Sequence, residues 1–192
     1  MHGILSIDIG YKNLGYTLMT FTENPVSFDK FKIRFDIFNI SEQKTGCDTV
    51  VAARCFALQN FFCDIADECI LDYILIEKQV PTNTKAMELM YSIYSFALQY
   101  CPPKRIILFD PKLKFTSIGE SYTTEKKAHK KQSIAYAKEL IGKEFPDLLK
   151  DFMSHPKKDD IADSLNQMIV WMISSNIMEM TFSDLRNVYS LD

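Results

Sequence analysis

Four acids stand where a carboxylate is costly or oddly grouped, and they define the chemistry this sequence can do. Asp8 lies inside Gly3-Ile4-Leu5-Ser6-Ile7-Asp8-Ile9-Gly10, an otherwise apolar run that reads as a buried strand. An unpaired ionised carboxylate in such a strand is strongly destabilising, so Asp8 must meet a cation or keep its proton. Glu77 closes a second apolar run, Tyr73-Ile74-Leu75-Ile76-Glu77. Asp160 and Asp163 are spaced i, i+3 at the start of a helical pattern, which puts them on one face about a turn apart. Asp159 and Asp160 also suit a helix N-terminus, where acids cap and balance the dipole. Asp163 lies a turn further in, where capping no longer accounts for it. Carboxylate oxygens suit hard ions such as Mg2+ or Mn2+, and no His/Cys set competes for a softer one.

The elements that must position these acids follow from periodicity. After the Asp8 strand, Gly10-Tyr11-Lys12-Asn13 carries turn chemistry and residues 14–21 alternate as a second strand, giving a hairpin. Residues 32–40 alternate polar with apolar and read as a half-exposed third strand near a sheet edge. Helical spacing of Val51, Cys55, Leu58, Phe62 and Ile65 predicts a helix over residues 48–67. A helical crossover makes the strand ending at Glu77 parallel to the first. A Met- and Tyr-rich helix follows over residues 84–101. Its apolar residues cover most of its circumference, which fits either a dimer contact or a helix deep in the core. Residues 105–109 form a fifth strand, 112–123 read as an irregular loop, and 125–141 as a basic helix. Residues 142–158 read as a short helical turn and loops. The last helix runs from residue 158 or 159 to about 178, and the tail after Met180 has no assignment.

This order predicts an α/β fold: a mixed five-stranded sheet, three antiparallel strands then two parallel, flanked by helices. If the fourth strand pairs beside the first, at a spacing of about 4.8 Å, Asp8 and Glu77 sit at one level of the sheet and a metal can bridge them. The last helix then supplies Asp160 and Asp163.

A chain of 192 residues with 47% hydrophobic content fits one compact domain, residues 1–192. The net charge of -3 does not by itself announce a nucleic-acid binder, but its distribution says more. Residues 104–158 hold 13 Lys and Arg against 7 Asp and Glu, a basic segment on an acidic scaffold, as a phosphate-facing surface requires. Five cysteines without a CxxC favour neither a zinc site nor a disulfide framework. No basic leader and no apolar run of about 18 residues is evident, so the expectation is a soluble intracellular protein.

At these residues the chain resembles the RuvC-like Holliday junction resolvases of the ribonuclease H-like superfamily, and most closely the poxvirus resolvases. The matching pieces are SIDIGYKN at Asp8, ILIEKQ at Glu77, HKKQS in the basic helix and KKDDIADSL at Asp160 and Asp163, in family order. The resemblance implies a homodimer that nicks two opposed strands of a four-way DNA junction with two Mg2+ ions per site, Mn2+ substituting, and leaves 5'-phosphate and 3'-hydroxyl ends. It implies that Asp8, Glu77, Asp160 and Asp163 hold metal and that the family's catalytic lysine is Lys131 or Lys130. Lys12, Lys126 and Lys127 are expected to position DNA phosphates. If the protein is viral, the family implies the host cytoplasm. Two positions depart from the pattern: Leu14 follows the KN pair where poxvirus relatives tend to place proline, and Val80, followed by Pro81, stands where bacterial relatives carry an aromatic wedge.

Three other functions fit parts of the pattern. The IDIG start also resembles that of actin-like and sugar-kinase ATPases, but the chain is short for two nucleotide-clasping domains and has no second glycine-rich phosphate hairpin, so no nucleotide cofactor is expected. Another structure-selective nuclease acting on RNA, flaps or forks would share the four acids. A non-catalytic DNA-binding protein of this fold would not need them.

Overall fold

The computed structural model describes residues 1–22, 27–40, 50–121 and 125–189, with the side chains of residues 50, 51 and 126 outside that description. Strand β1 (His2–Ile9) pairs antiparallel with β2 (Asn13–Phe21), and β2 with β3 (Lys32–Asn39). Helix α1 (Val50–Glu68) crosses the sheet and returns β4 (Ile70–Glu77) parallel to β1. Helix α2 (Thr84–Ala97) leads to β5 (Ile106–Phe109), parallel to β4. The strand order is β3-β2-β1-β4-β5, the mixed sheet expected from the sequence. Helices α3 (Leu113–Thr116), α4 (Lys126–Glu144), α5 (Leu149–Ser154), α6 (Lys158–Ser174) and α7 (Phe182–Val188) follow.

Strand alternation divides the core into two layers. Leu5 and Ile7 of β1, Leu14, Tyr16 and Leu18 of β2, and Ile74 and Ile76 of β4 face α1 and α2, where Leu58, Phe62, Leu89 and Ile93 meet them. Ile4, Met19, Leu75 and Phe109 point the other way, toward Tyr136 and Leu140 of α4 and Leu165, Met168 and Ile169 of α6. Asp8 has the parity of Ile4, and Glu77 the parity of Leu75, so both acids face the α6 layer.

Helix α6 is buried on nearly all sides, since it packs against β1, β2 and α4 at once. Its polar residues are paired inside the protein. Ser164 Oγ shares a 2.8 Å hydrogen bond with Thr17 Oγ1 of β2, and Gln167 Nε2 donates to Ser6 Oγ of β1 at 3.0 Å. These bonds pin the rotation of α6 over the sheet, and with it the direction of Asp163.

Four expectations need correction. Residues 112–123 are not wholly irregular, because α3 forms directly after the Asp110-Pro111 turn. Helix α2 ends at Ala97 rather than at 101, its last turn tightening through Gln99 N–H to Phe96 O before Pro102. Helix α6 stops at Ser174, short of 178, because Asn176 takes a left-handed conformation (φ 54°) and Ile177 N–H bonds back to Met172 O. The unassigned tail forms α7, closed at its start by a capping box between Thr181 and Asp184. The expected start of α1 at residues 48–49 lies outside the described residues. Tyr91 of α2 and Leu98, the residue that caps it, are exposed, while Met87, Tyr94 and Phe96 pack on the core. Among the described residues no helix is long and apolar enough to cross a membrane.

Candidate active site

Parallel pairing of Ile7 with Ile76 sets Asp8 beside Glu77 at the carboxyl ends of β1 and β4, where open α/β sheets place their ligands. The two carboxyl groups lie close enough for the Glu77 charge to act on Asp8. Burial pushes the Asp8 pKa well above the usual carboxylate range, and the charges of Glu77 and Asp163 push it further; Lys114 opposes this without overcoming it.

Lys114 is the group the sequence reading missed. The turn after β5 is built by Asp110, whose Oδ1 accepts from Lys112 N–H at 3.0 Å and whose carbonyl accepts from Leu113 N–H at 3.0 Å. The short helix that follows aims Lys114 back under the sheet end. Its Nζ, on a residue 2% exposed, donates to Glu77 Oε1 at 3.2 Å and Asp163 Oδ1 at 3.0 Å. Burial pulls its pKa down, but Asp163, Glu77 and Asp8 together raise it, so the ammonium persists. A lysine three residues after the Asp110-Pro111 turn, just past the strand whose Phe109 pairs with Glu77, is the signal that points to it.

Glu77 and Asp163 are each oriented by a neighbour. Gln79 Nε2 donates to Glu77 Oε2 at 2.9 Å. Ser133 of α4, the serine of HKKQS, donates to Asp163 Oδ1 at 2.7 Å. Asn166, a turn beyond Asp163, donates to both the carbonyl and the hydroxyl of Ser133 at 2.9 Å.

Asp160 stands toward β2. Burial raises its pKa, and Asp159 adds to this; Lys130 and Lys157 oppose them, and Asp163 contributes least. Lys130 donates to Asp159 Oδ2. That bond helps to hold the Asp159 pKa low against its burial, and it raises that of Lys130. Lys131, Lys127 and Lys12 are exposed, and the side chain of Lys126 lies outside the described residues. The structure therefore brings Asp8, Glu77 and Asp163 together around Lys114 and sets Asp160 and Lys130 at the flank. His129 packs on Phe115 at 4.2 Å between centroids, and burial lowers its pKa, which favours the neutral ring.

The buried carboxylate of Asp8 and the partly buried ones of Glu77 and Asp163, against one ammonium, leave negative charge that a divalent cation complements, and oxygen donors are what Mg2+ and Mn2+ prefer. The donor set fits such an ion. Among the described residues no three His, Cys, Asp or Glu side chains stand close enough to form a finished cage. Lys114 Nζ bridges two of the acids such a cage would use.

The sequence model of the family described as Poxvirus A22 protein matches residues 2–175. Among solved structures, the fowlpox virus resolvase in complex with substrate Holliday junction DNA aligns with 90% of this chain and 98% of its own, at 20% identity and a TM-score of 0.60. The yeast mitochondrial Holliday junction resolvase Ydc2 aligns with 97% of this chain and 84% of its own, at 20% identity and a TM-score of 0.62. These likenesses make the fold that of the RuvC-like resolvases. An uncharacterized protein, 97L, of Invertebrate iridescent virus 3 is 28% identical over 96 residues, which span 50% of this chain and 44% of that protein.

Proposed function

This chain belongs to the Poxvirus A22 protein family, and from that premise we propose that it is a Mg2+-dependent Holliday junction resolvase. It acts as a homodimer on four-way DNA junctions, nicks two opposed strands, and leaves 5'-phosphate and 3'-hydroxyl ends. The observation that carries the reading is the convergence of Asp8, Glu77 and Asp163 on the buried Lys114 at the sheet end. A structural cluster gains nothing from three acids crowded together with one of them buried, whereas a phosphodiesterase needs them to hold cations beside a phosphate.

Asp8, Glu77, Asp160 and Asp163 would hold the metal, and a pair of Mg2+ ions bound there, or Mn2+ in their place, would supply activation of the attacking water and charge stabilisation at the leaving 3'-oxygen. The chain's own groups do the rest. Because its pKa is raised, Asp8 must give up its proton before it can accept a cation. Lys114 holds Glu77 and Asp163 at a fixed separation and carries positive charge into the site ahead of the phosphate. Lys130 is the lysine at the site's flank, and Lys12, Lys126, Lys127 and Lys131 bind the DNA backbone without reading sequence.

The test is incubation of purified protein with a synthetic four-way junction, a replication fork and a plain duplex, with and without Mg2+. Symmetric paired nicks in the junction alone, only with Mg2+, are expected. Equal cutting of fork and duplex would make the protein a broader nuclease, and binding without cleavage would make it a structural DNA binder. Light scattering at micromolar concentration should give a dimer; a monomer would remove the paired-nick step.

A further inference from the structure

We infer that Tyr189, the residue that closes α7, is a positioning residue for Asp163, acting through Asn166 and Ser133. This rests on the nuclease reading above only for its activity arm. The four groups form one directed chain of hydrogen bonds. Tyr189 Oη donates to Asn166 Oδ1 at 3.3 Å. Asn166 Nδ2 donates to Ser133 O and to Ser133 Oγ, each at 2.9 Å. Ser133 Oγ, having accepted there, turns its single proton to Asp163 Oδ1 at 2.7 Å.

The chain is sealed from water, with Ser133 0%, Asn166 1% and Tyr189 4% exposed. Buried networks of this kind are rigid when every member is satisfied and fail when one is not. What Tyr189 controls is how firmly the Asn166 amide is held, whose two ends have nearly the same shape and opposite polarity. The Ser133 carbonyl, which can only accept, already turns Nδ2 toward Ser133, and the Tyr189 donor anchors the amide at its other end. Without that donor the buried Oδ1 is left unpaired, the amide is held at one end only, and the Ser133 hydroxyl it aims at Asp163 loosens. Burial raises the Tyr189 pKa, so its hydroxyl keeps the proton it donates. The ring is stacked on Tyr136 at 4.5 Å between centroids, which fixes where the hydroxyl points.

The same helix reaches the second donor to Asp163. Arg186 of α7 donates to the carbonyl of Ile118, in the segment that leads from α3, the helix carrying Lys114. Both groups that bond Asp163 Oδ1 are thus tied to α7. The family match ends at residue 175, so this buttress belongs to the C-terminal segment beyond it.

The experiment compares full-length wild type, Tyr189→Phe, Ser133→Ala and the double variant by single-turnover cleavage of a four-way junction and by calorimetric titration with Mn2+ alone. Tyr189→Phe keeps the stacked ring and removes only the hydroxyl. It should slow cleavage and weaken Mn2+ binding by about three- to tenfold, the scale of one buried hydrogen bond, and leave metal-free junction binding unchanged. In the Ser133→Ala background the same change should do nothing further. Unchanged rate and Mn2+ affinity in Tyr189→Phe would overturn the inference, as would an equal loss in both backgrounds, which marks packing alone. If Ser133→Ala does not fold, Asn166→Asp serves as the second background: it still accepts from Tyr189 but cannot donate to Ser133. Wild type that binds Mn2+ and cuts no DNA would sink the nuclease reading, and the Mn2+ affinities would still decide the relay.

Discussion

A β-carbon on Gly15 would lie 2.5 Å from the backbone carbonyl oxygen of Asp160 and 2.6 Å from its carbonyl carbon, and Gly15 is the residue paired with Asp8 across β1 and β2. The first turn of α6 therefore rests directly on bare backbone next to the buried acid. Any side chain at Gly15 would lift that turn, and with it the carboxylates α6 delivers.

Gly15→Ala tests the contact. The obstacle is backbone, which cannot rotate out of the way as the end of a long side chain can, so α6 must shift. Overpacking of this kind costs about 1–3 kcal/mol. We expect that loss in chemical denaturation together with a larger loss of Mg2+-dependent cleavage, since the displaced turn carries Asp160. Wild-type stability and activity in the variant would refute the contact.

Lys114→Met separates charge from bulk. The methionine fills the lysine stem's volume but leaves Glu77, Asp163 and Asp8 facing one another without a buried cation. Removing one partner of a buried ion pair costs about 3–5 kcal/mol. A divalent ion drawn to the same acids should restore much of that, so the variant's Tm should rise more steeply with Mg2+ than wild type's. Equal Mg2+ responses would detach Lys114 from the metal-binding acids.

Asp8 gives a pH dependence whose sign is fixed. Burial and then the Glu77 and Asp163 charges raise its pKa in the folded protein, so the native state holds the proton more tightly than the unfolded chain does. Its contribution to stability is full below the ordinary aspartate pKa and is lost as pH rises through the raised native value. In metal-free protein this part of the stability should fall with rising pH, while Mg2+ affinity rises over the same window because the ion competes with the proton. Asp8→Asn should flatten both trends, raise the metal-free Tm at neutral pH by about 2–4 °C for each kcal/mol of relieved repulsion, and abolish cleavage. Melting curves across pH, with and without Mg2+, decide it.

The sheet was readable because its signal is periodic. Alternation in β1 and β2, the unbroken apolar run of β4 and a helical crossover between them are enough to set Asp8 beside Glu77. Lys114 was hidden because α3 spans only Leu113–Thr116, too short for a period to show, and its direction depends on the Asp110 turn. Helix α7 is likewise short at seven residues, although Thr181 with Asp184 three positions on is a legible start. That Ser133 and Asn166 join the site depends on how α4 and α6 are rotated against each other, which no local pattern encodes.

The same rotation separates two lysines that are adjacent in sequence. Consecutive helical residues point about 100° apart, so one of Lys130 and Lys131 faces α6 and the other does not. Both lysines are exposed, but it is Lys130 that donates to Asp159, with Asp160 and Asp163 adding to the rise of its pKa. Lys130→Met should therefore lower the single-turnover rate with little change in junction affinity. Lys131→Met should weaken junction binding, reduce the slope of log K against log salt by about 1, and leave the rate at saturating protein near wild type. Cleavage and binding titrations at several salt concentrations on both variants measure this. A rate defect confined to Lys131→Met would reverse the assignment and mean that α4 turns further when DNA binds.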